Sequence, residues 1–348
     1  MKIDFLLIGG GLAGTALGYR LIQSGKTIRI LDLPEKNQSS RIAAGLYNPV
    51  TGRKMVKTWL ADQLFPEIEP FYREIEKKTG ASFLRPETIY RPFISIEEQN
   101  EWMGNSSDEV FIPYIKELVT ESQSSHLQDP YGGVMLRQSG WLDIPAFLDA
   151  FKKKFSDNFS IENFEESMLQ FENGNWHYGD IETPSVVFCN GVHAAQTSFF
   201  GFLPFAPVKG EILELKQEFC PEYIVNRGVF RVHLGDGIHR VGSTYTWHDL
   251  DIGPTERAKN ELLERLQGLV NLPVEEVVSH KFGIRPATKD RKPFLGKHPS
   301  LSGVYIFNGF GAKGVSLVPY FSNMMNAYLL NEEPVMKEVD IARYFDYI

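Results

Sequence analysis

The chain has 348 residues, of which 43% are hydrophobic, 23% charged and 13% aromatic. That composition excludes disorder, collagen-like repeats and coiled coil, and the length suggests two domains of roughly 150 residues. Thirty-six Lys+Arg against 44 Asp+Glu give a net charge of −8, the sign opposite to that of a general nucleic-acid or anionic-membrane binder, and no run approaches the roughly 18 apolar residues of a membrane span.

Residues 3–8 form a short, mostly apolar run suited to a buried parallel strand. Following Met1-Lys2 it has the outline of a signal peptide, but Asp4 interrupts it and the glycines beyond have another use. Gly9, Gly11 and Gly14 stand in a G-x-G-x-x-G frame. Leu12, Ala16, Leu17, Leu21 and Ile22 then recur at helical spacing as far as Ser24, and Gly25 is the expected C-cap. A second strand, Ile28–Leu31, delivers Asp32, 18 positions beyond Gly14.

Each residue type in this unit has a physical task. Gly9 allows a tight strand-to-helix turn, and Gly11 lets the backbone approach a pyrophosphate whose charge meets the helix N-terminus. Gly14 permits close helix–strand packing, and Asp32 accepts hydrogen bonds from a ribose. The unit predicts a bound dinucleotide, NAD or FAD. The Asp32 carboxylate would repel a 2′-phosphate, which disfavours NADP.

Further along, the pattern predicts a helix over Trp59–Lys78 and then irregular, Pro- and Ser-rich chain to residue 130. Ser185–Cys189 reads as another dinucleotide-type strand, running into Asn190-Gly191. Pro207–Leu215, Val229–Val232 and Ile238–Val241 alternate like strands, followed by a helix over Thr255–Leu269 and a strand over Val274–Val278. Val304–Phe307 reads as a strand, Gly309–Gly314 as a loop, and Val315–Leu330 as a helix with Leu317, Phe321, Met324, Met325 and Tyr328 on its apolar side. Two cysteines, Cys189 and Cys220, make no disulfide framework and show no metal-site spacing, which suits a reducing cytosol.

The expected fold is therefore α/β. A Rossmann-like dinucleotide-binding domain is assembled from residues 1–50, 138–204 and 279–348. Residues 51–137 and 205–278 make an α+β substrate domain with a mainly antiparallel sheet.

With these residues in view, the chain resembles the D-amino-acid oxidase family of FAD enzymes, especially its glycine oxidase and sarcosine oxidase branches. Ser39–Leu46 is similar to the family's small-residue segment beside the flavin. Gly140-Trp141-Leu142-Asp143 resembles the turn before its central helix, Phe188–His193 its A-x-G-x-W/H strand end, and Gly242-Ser243-Thr244 its substrate-domain G-S/A-T. The most specific string is Gly283-Ile284-Arg285-Pro286-Ala287-Thr288-Lys289-Asp290-Arg291-Lys292-Pro293-Phe294-Leu295-Gly296, followed by the Gly309–Gly314 loop.

The resemblance implies FAD as cofactor. Its contacts would come from Gly9, Gly11, Leu12, Ala13, Gly14, Asp32, Arg41, Ala43, Ala44, Gly45, Met168, Gly191, Gly311, Lys313 and Gly314. It also implies that Arg285 clamps a substrate carboxylate and that Lys313 falls where sarcosine oxidases carry a second carboxylate-binding lysine. Members that attach FAD covalently use a cysteine in the segment matching 286–290. None is present here, so the flavin is expected to be non-covalent.

Oxidising an amine beside a carboxylate asks for orientation and electrostatics more than acid–base machinery. The neutral amine presents its α C–H to flavin N5, hydride transfer gives an imine, and water hydrolyses it. Arg285 offers a planar fork of donors that matches a carboxylate. The N-terminus of the 315–330 helix would turn its partial positive charge toward the flavin. The plainer alternatives are that Arg285 braces an interface, Lys313 is a solvated loop cation, His193 packs or caps near its strand end, and Trp59, Trp141, Trp176 and Trp247 are core or rim residues.

The expected function is a cytoplasmic FAD-dependent oxidoreductase acting on the C–N bond of a small amino acid or N-substituted glycine, reoxidised by O2 or another acceptor. Two rivals stand beside it. Ala287-Thr288-Lys289-Asp290 and Gly140–Asp143 also resemble the branch that oxidises the carboxymethylaminomethyl group on tRNA wobble uridine. Between Arg41 and Lys57 lie four cations (Arg41, Arg53, Lys54, Lys57) and no acid, and between Lys281 and Lys297 six cations and one acid, a local field that suits FAD, an anionic substrate or a polyanion. The acidic net charge and the lack of a fused methyltransferase domain weigh against tRNA. The other rival is a flavin-binding subunit of a hetero-oligomeric amino-acid dehydrogenase.

Overall fold

A computed structural model describes residues 1–33, 38–51 and 55–347. Phe5–Ile8 is buried at all four positions, as a central parallel strand must be when helices cover both faces of its sheet. It pairs in parallel with Ile28–Leu31 on one side and Ser185–Phe188 on the other. Val304–Asn308 extends the sheet in parallel beyond Ser185–Phe188. Phe159–Ser160 and the antiparallel Phe294–Lys297 are the edges of these six strands. The first, middle and last parts of the chain thus meet in one sheet, as the scattered strand–glycine signatures predict.

The helix Leu12–Gln23 follows the first strand and packs against the helix Gly314–Asn331, which follows the last parallel one. The two glycine-bearing turns therefore lie at the same edge of the sheet. The helix Ala61–Thr79 covers the C-terminal helix in turn. It buries Leu64, Phe65, Ile68, Phe71 and Ile75, and the Tyr72 hydroxyl donates to the Val315 carbonyl at 3.0 Å.

The second sheet has eight strands, in the order 276–285, 208–216, 238–242, 229–235, 224–227, 89–92, 133–136, 115–119. Its neighbours are antiparallel except where Ile224–Arg227 meets Ile89–Pro92 in parallel, which joins the two separated segments of the second layer. The helix Glu256–Gln267, capped by the Thr255 side chain, packs on this sheet through Leu262 and Leu266.

The strand expected over Val274–Val278 is instead Glu276–Arg285, so it runs across the boundary drawn between 278 and 279. Its mixed pattern of polar and half-buried positions hides its length from a reading of hydrophobic alternation. The region read as irregular between 79 and 130 supplies three short strands, Leu84–Pro86, Ile89–Pro92 and Ile115–Val119, and the helix Ile96–Asn105. Among the described residues no helix is long and apolar enough to cross a membrane.

Candidate active site

Where the two sheets approach each other, a cleft of about 2010 Å³ runs from the first strand–helix turn to the end of the strand Glu276–Arg285. At one end Asp32, 6% exposed, closes the second strand, and its Oδ1 accepts from the Gly10 amide at 2.9 Å. Gly9 lies at φ +101°, and a Cβ there would sit 2.8 Å from the Asn190 Cα. A Cβ on Gly14 would come within 1.9 Å of the Gly9 carbonyl oxygen. Gly14 thus serves helix–strand packing, while Gly9, Gly11, Leu12 and Ala13 line the cleft.

Ala43, Ala44 and Gly45 continue the wall. Gly45, at φ +79°, passes so close to Leu142 that a Cβ would lie 1.9 Å from that carbonyl oxygen. Gly191, Gly311, Lys313 and Gly314 complete the middle of the cleft. The Asn308 amide ties the ends of two parallel strands together by donating to the Gly191 carbonyl at 3.0 Å.

Two expected contacts fall elsewhere. The Arg41 guanidinium pairs with Asp149 at 2.6 Å and does not line the cleft. Met168 sits in a short turn, 44% exposed and off the cleft wall, which takes Glu162, Asn163 and Phe164 from the preceding segment instead.

Arg285 ends its strand inside the cleft. Its Nη2 donates to the Ser243 hydroxyl at 2.7 Å and its Nη1 to the Thr244 carbonyl at 3.3 Å, while the guanidinium lies 4.4 Å from the centre of the Tyr245 ring. Gly210 on the neighbouring strand leaves room for it, since a Cβ there would sit 2.0 Å from Nη2. Burial pulls the Arg285 pKa below the ordinary arginine value, and the Tyr245 hydroxyl works the other way. No carboxylate pairs with this guanidinium among the described residues.

A buried ionic group holds the loop beneath. Lys209 and Glu211 are 3% and 1% exposed and stand 3.5 Å apart. Lys209 Nζ donates to the carbonyls of Asp249 and Ile252, and Glu211 accepts from the amide and hydroxyl of Thr255. The Glu211 amide in turn donates to the Thr244 hydroxyl at 2.9 Å. The 243–255 loop, with Tyr245 and Trp247 on the cleft, is thus anchored at both ends.

Lys313 precedes the helix Gly314–Asn331, and its Nζ reaches the hydroxyls of Thr51 and Thr58 at 3.3 and 3.4 Å. Desolvation, then Arg291 and Lys292, lower its pKa from the usual lysine value. Lys292 stands 3.3 Å from the centre of the Trp59 ring, which stacks on Phe321. Lys289, Asp290, Arg291 and Lys292 also line the cleft, and Asp290, the one acid of that segment, pairs with Arg343 at 3.0 Å. Lys57 is neutralised by Asp62 at 2.5 Å, and Arg53 and Lys54 lie outside the described residues.

Trp59 and Trp247 line the cleft, Trp141 and Trp176 are buried and donate to Glu87 and the Ser302 carbonyl, and His193 is exposed on the cleft wall. Tyr245, Gly210, Thr51 and Thr58 carry no local motif that announces a site. Gly210 is revealed by its place on the strand beside Arg285, and Tyr245, Thr51 and Thr58 by their contacts with Arg285 and Lys313.

The cleft fits FAD. It is about twice the 1,000 Å³ or so at the upper end of ordinary ligand pockets, leaving room for a dinucleotide with a small substrate beside it. The Gly9–Gly14 turn presents a helix N-terminus for a pyrophosphate, Asp32 stands ready for a ribose, and the buried Asn190 Oδ1 on the wall has no protein partner. Gly9, Gly11, Leu12 and Ala13 would hold the pyrophosphate end, with Ala43–Gly45, Gly191, Gly311 and Gly314 along the remainder.

Fold and site together define a dinucleotide-dependent enzyme whose cleft holds an arginine with no carboxylate partner among the described residues. A family described as DAO, FAD dependent oxidoreductase, matches residues 4–327, and the chain belongs to that family of FAD-dependent oxidoreductases. It is 25% identical over 382 residues to the tRNA 5-methylaminomethyl-2-thiouridine biosynthesis bifunctional protein of Legionella pneumophila (strain Corby), covering 94% of this chain and 54% of that protein. The chain thus spans about half the length of that relative. A glycine oxidase of Pseudomonas aeruginosa is 27% identical over 137 residues, 38% of each chain. Among solved structures, the iminodiacetate oxidase of Chelativorans superposes with a TM-score of 0.79 at 20% identity, covering 98% of both chains. Glycine oxidase of Geobacillus kaustophilus gives 0.78 at 20% identity, covering 99% of this chain and 98% of that one.

Proposed function

We propose that this protein oxidises the C–N bond of an N-substituted glycine or a small amino acid, with FAD held non-covalently in the cleft. The observation that carries the reading is the Arg285 guanidinium, fixed by Ser243, Thr244 and Tyr245 and left without a carboxylate partner among the described residues. FAD, when bound, supplies the acceptor for the hydride that leaves the carbon beside the amine.

The chain's own residues do the positioning. Arg285 takes the substrate carboxylate through two parallel N–H···O bonds, which fixes the α-carbon relative to the strand end. Lys313, with its charge disfavoured by desolvation and by Arg291 and Lys292, gains from an anion placed nearby. Ile212 and Phe230 give the pocket beside Arg285 an apolar wall. The imine formed by loss of hydride and proton adds water and separates into a carbonyl compound and an amine. The two unpaired thiols suit a cytoplasmic setting.

A second reading concerns what is attached to the glycine nitrogen. Tyr245 and Trp247, 55% and 62% exposed, line the cleft, as do the cations Lys289, Arg291 and Lys292. Exposed rings beside cations suit a stacked base and its phosphates. The relative that aligns along 94% of this chain is named for a tRNA modification, which favours the carboxymethylaminomethyl group of a tRNA uridine as the substituted glycine.

The experiment is product analysis on glycine, sarcosine, iminodiacetate and a tRNA bearing that group. Carbonyl compound and amine appearing in equal amounts from any of them supports the reaction class. Products from the tRNA alone select the second reading, and none from any of the four contradicts both.

A further inference from the structure

On the eight-stranded sheet, away from the cleft, Val229–Gly235 and Ile238–Gly242 form a hairpin in which His233 and His239 stand directly opposite each other. Cross-strand partners bring side chains to about 5 Å, and here the two rings lie 4.9 Å apart at 31°. Cys220, in the connection between Val208–Lys216 and Ile224–Arg227, reaches the same spot, with Sγ 3.8 Å from His239 Nε2. One donor atom from each of the three lies within 4.8 Å of the others.

The hydrogen bonding around the imidazoles is incomplete. His239 is wholly buried, and its Nε2 donates to the Gln217 carbonyl at 3.2 Å, which leaves Nδ1 as a bare acceptor with no partner. His233 Nε2 is likewise buried and unpartnered. A buried imidazole nitrogen without a hydrogen bond is destabilising. His239 Nε2 is also the nitrogen in contact with Cys220 Sγ, so an ion bound there would take the place of the Gln217 hydrogen bond.

We propose that Cys220, His233 and His239 bind a single thiophilic transition-metal ion of the Zn2+ class, in a site separate from the catalytic cleft. A thiolate and two imidazoles are the donor set such ions prefer, and three protein ligands leave one tetrahedral position for water. Metal–ligand bonds of about 2.0–2.3 Å place tetrahedral ligands about 3.5 Å apart. Closing the site from the present spacing therefore needs a shift of about 1 Å, within reach of the exposed Cys220 and the half-buried His233.

Two charges bear on it. Arg231 is buried beside the site, bonded to Gln217 and the Phe219 carbonyl, and a thiolate ligand offsets part of its repulsion toward a cation. None of the three ligands lines the cleft. The ion would clamp the Cys220 connection onto the hairpin rather than join the reaction.

The test uses the purified FAD-loaded protein and Zn2+ alone. Cys189 is buried and Cys220 exposed, so alkylation by iodoacetamide, followed by peptide mass, reads Cys220 selectively. The expected result is one equivalent of Zn2+ retained after gel filtration, together with at least a tenfold slower alkylation of Cys220. Cys220→Ser and the partly exposed His233→Gln should each abolish retention while amine oxidation continues unchanged. Absence of stoichiometric Zn2+ with an unaltered alkylation rate overturns the proposal, as does retention undiminished in both variants.

Discussion

Single residues around Arg285 decide how its guanidinium is held. Gly210 contributes by absence, because any Cβ there would occupy the space of the guanidinium. Gly210→Ala should therefore displace Arg285 without removing its charge. We expect at least a tenfold rise in KM for the carboxylate-bearing amine, with FAD content unchanged, measured by steady-state kinetics and the flavin-to-protein absorbance ratio. Lys313 gives a second, pH-dependent prediction. Its folded pKa is lowered, so its charge is present at low pH and lost as pH rises through a value below that of an ordinary lysine. Anion binding that uses this charge should weaken over that range. Lys313→Arg should carry binding to higher pH, and Lys313→Met should flatten the dependence. For the same reason the fold takes up fewer protons here than the unfolded chain, and this residue's contribution to stability grows with pH between the two pKa values. Arg285, Lys313 and the Gly9–Gly14 turn were legible in the sequence because each sits in a contiguous motif. Gly210 was not, because its role depends on strand register, and Tyr245 was not, because its contact with Arg285 is made from a loop.

At the scale of elements, the strand 208–216 links the sheet to the site. It carries Gly210 beneath Arg285 and, on either side, Lys209 and Glu211, which anchor the 243–255 loop. A wholly unpaired buried charge costs about 3–5 kcal/mol, and the loss is smaller here because Glu211 keeps His280 Nε2 at 2.9 Å and the Thr255 amide and hydroxyl. Lys209→Met should lower the urea midpoint accordingly, and Lys209→Met combined with Glu211→Gln should cost less than the two single changes added together. Elements with strong local signals were readable: the buried run Phe5–Ile8, the helix expected over Thr255–Leu269 and found over Glu256–Gln267, and the apolar face of the last helix. The strands Ile89–Pro92, Ile115–Val119 and Gly133–Leu136 were not, since their partners lie far along the chain and their sequences carry little alternation. The helix Ile96–Asn105 did leave a signal. Ser95 caps the Glu98 amide while Glu98 accepts from Ile94, a variant of the capping box that sequence inspection could have caught.

For the whole molecule, the acidic net charge conceals a cleft whose cations are unevenly spent. Arg41 and Lys57 are paired with acids, while Lys289, Arg291, Lys292 and Lys313 line the cavity. If a tRNA is the substrate, about four phosphate contacts imply a loss of about 50-fold in affinity between 50 and 200 mM salt, from the single-strand counterion slope. A small amino acid should show far less, and equilibrium binding at the two salt concentrations separates them. Composition alone could not show this, because net charge averages over surfaces that never meet the ligand. Oxidation in this cleft of an amine whose carboxylate is held by Arg285 would be visible in an anaerobic titration of the FAD-loaded protein with glycine, sarcosine, iminodiacetate and the modified tRNA, following the flavin band at about 450 nm. Bleaching by at least one of them is expected, slowed at least a hundredfold in Arg285→Ala although FAD is retained. Bleaching that proceeds equally well without Arg285, or no bleaching by any of the four, would contradict oxidation of an amine held by Arg285.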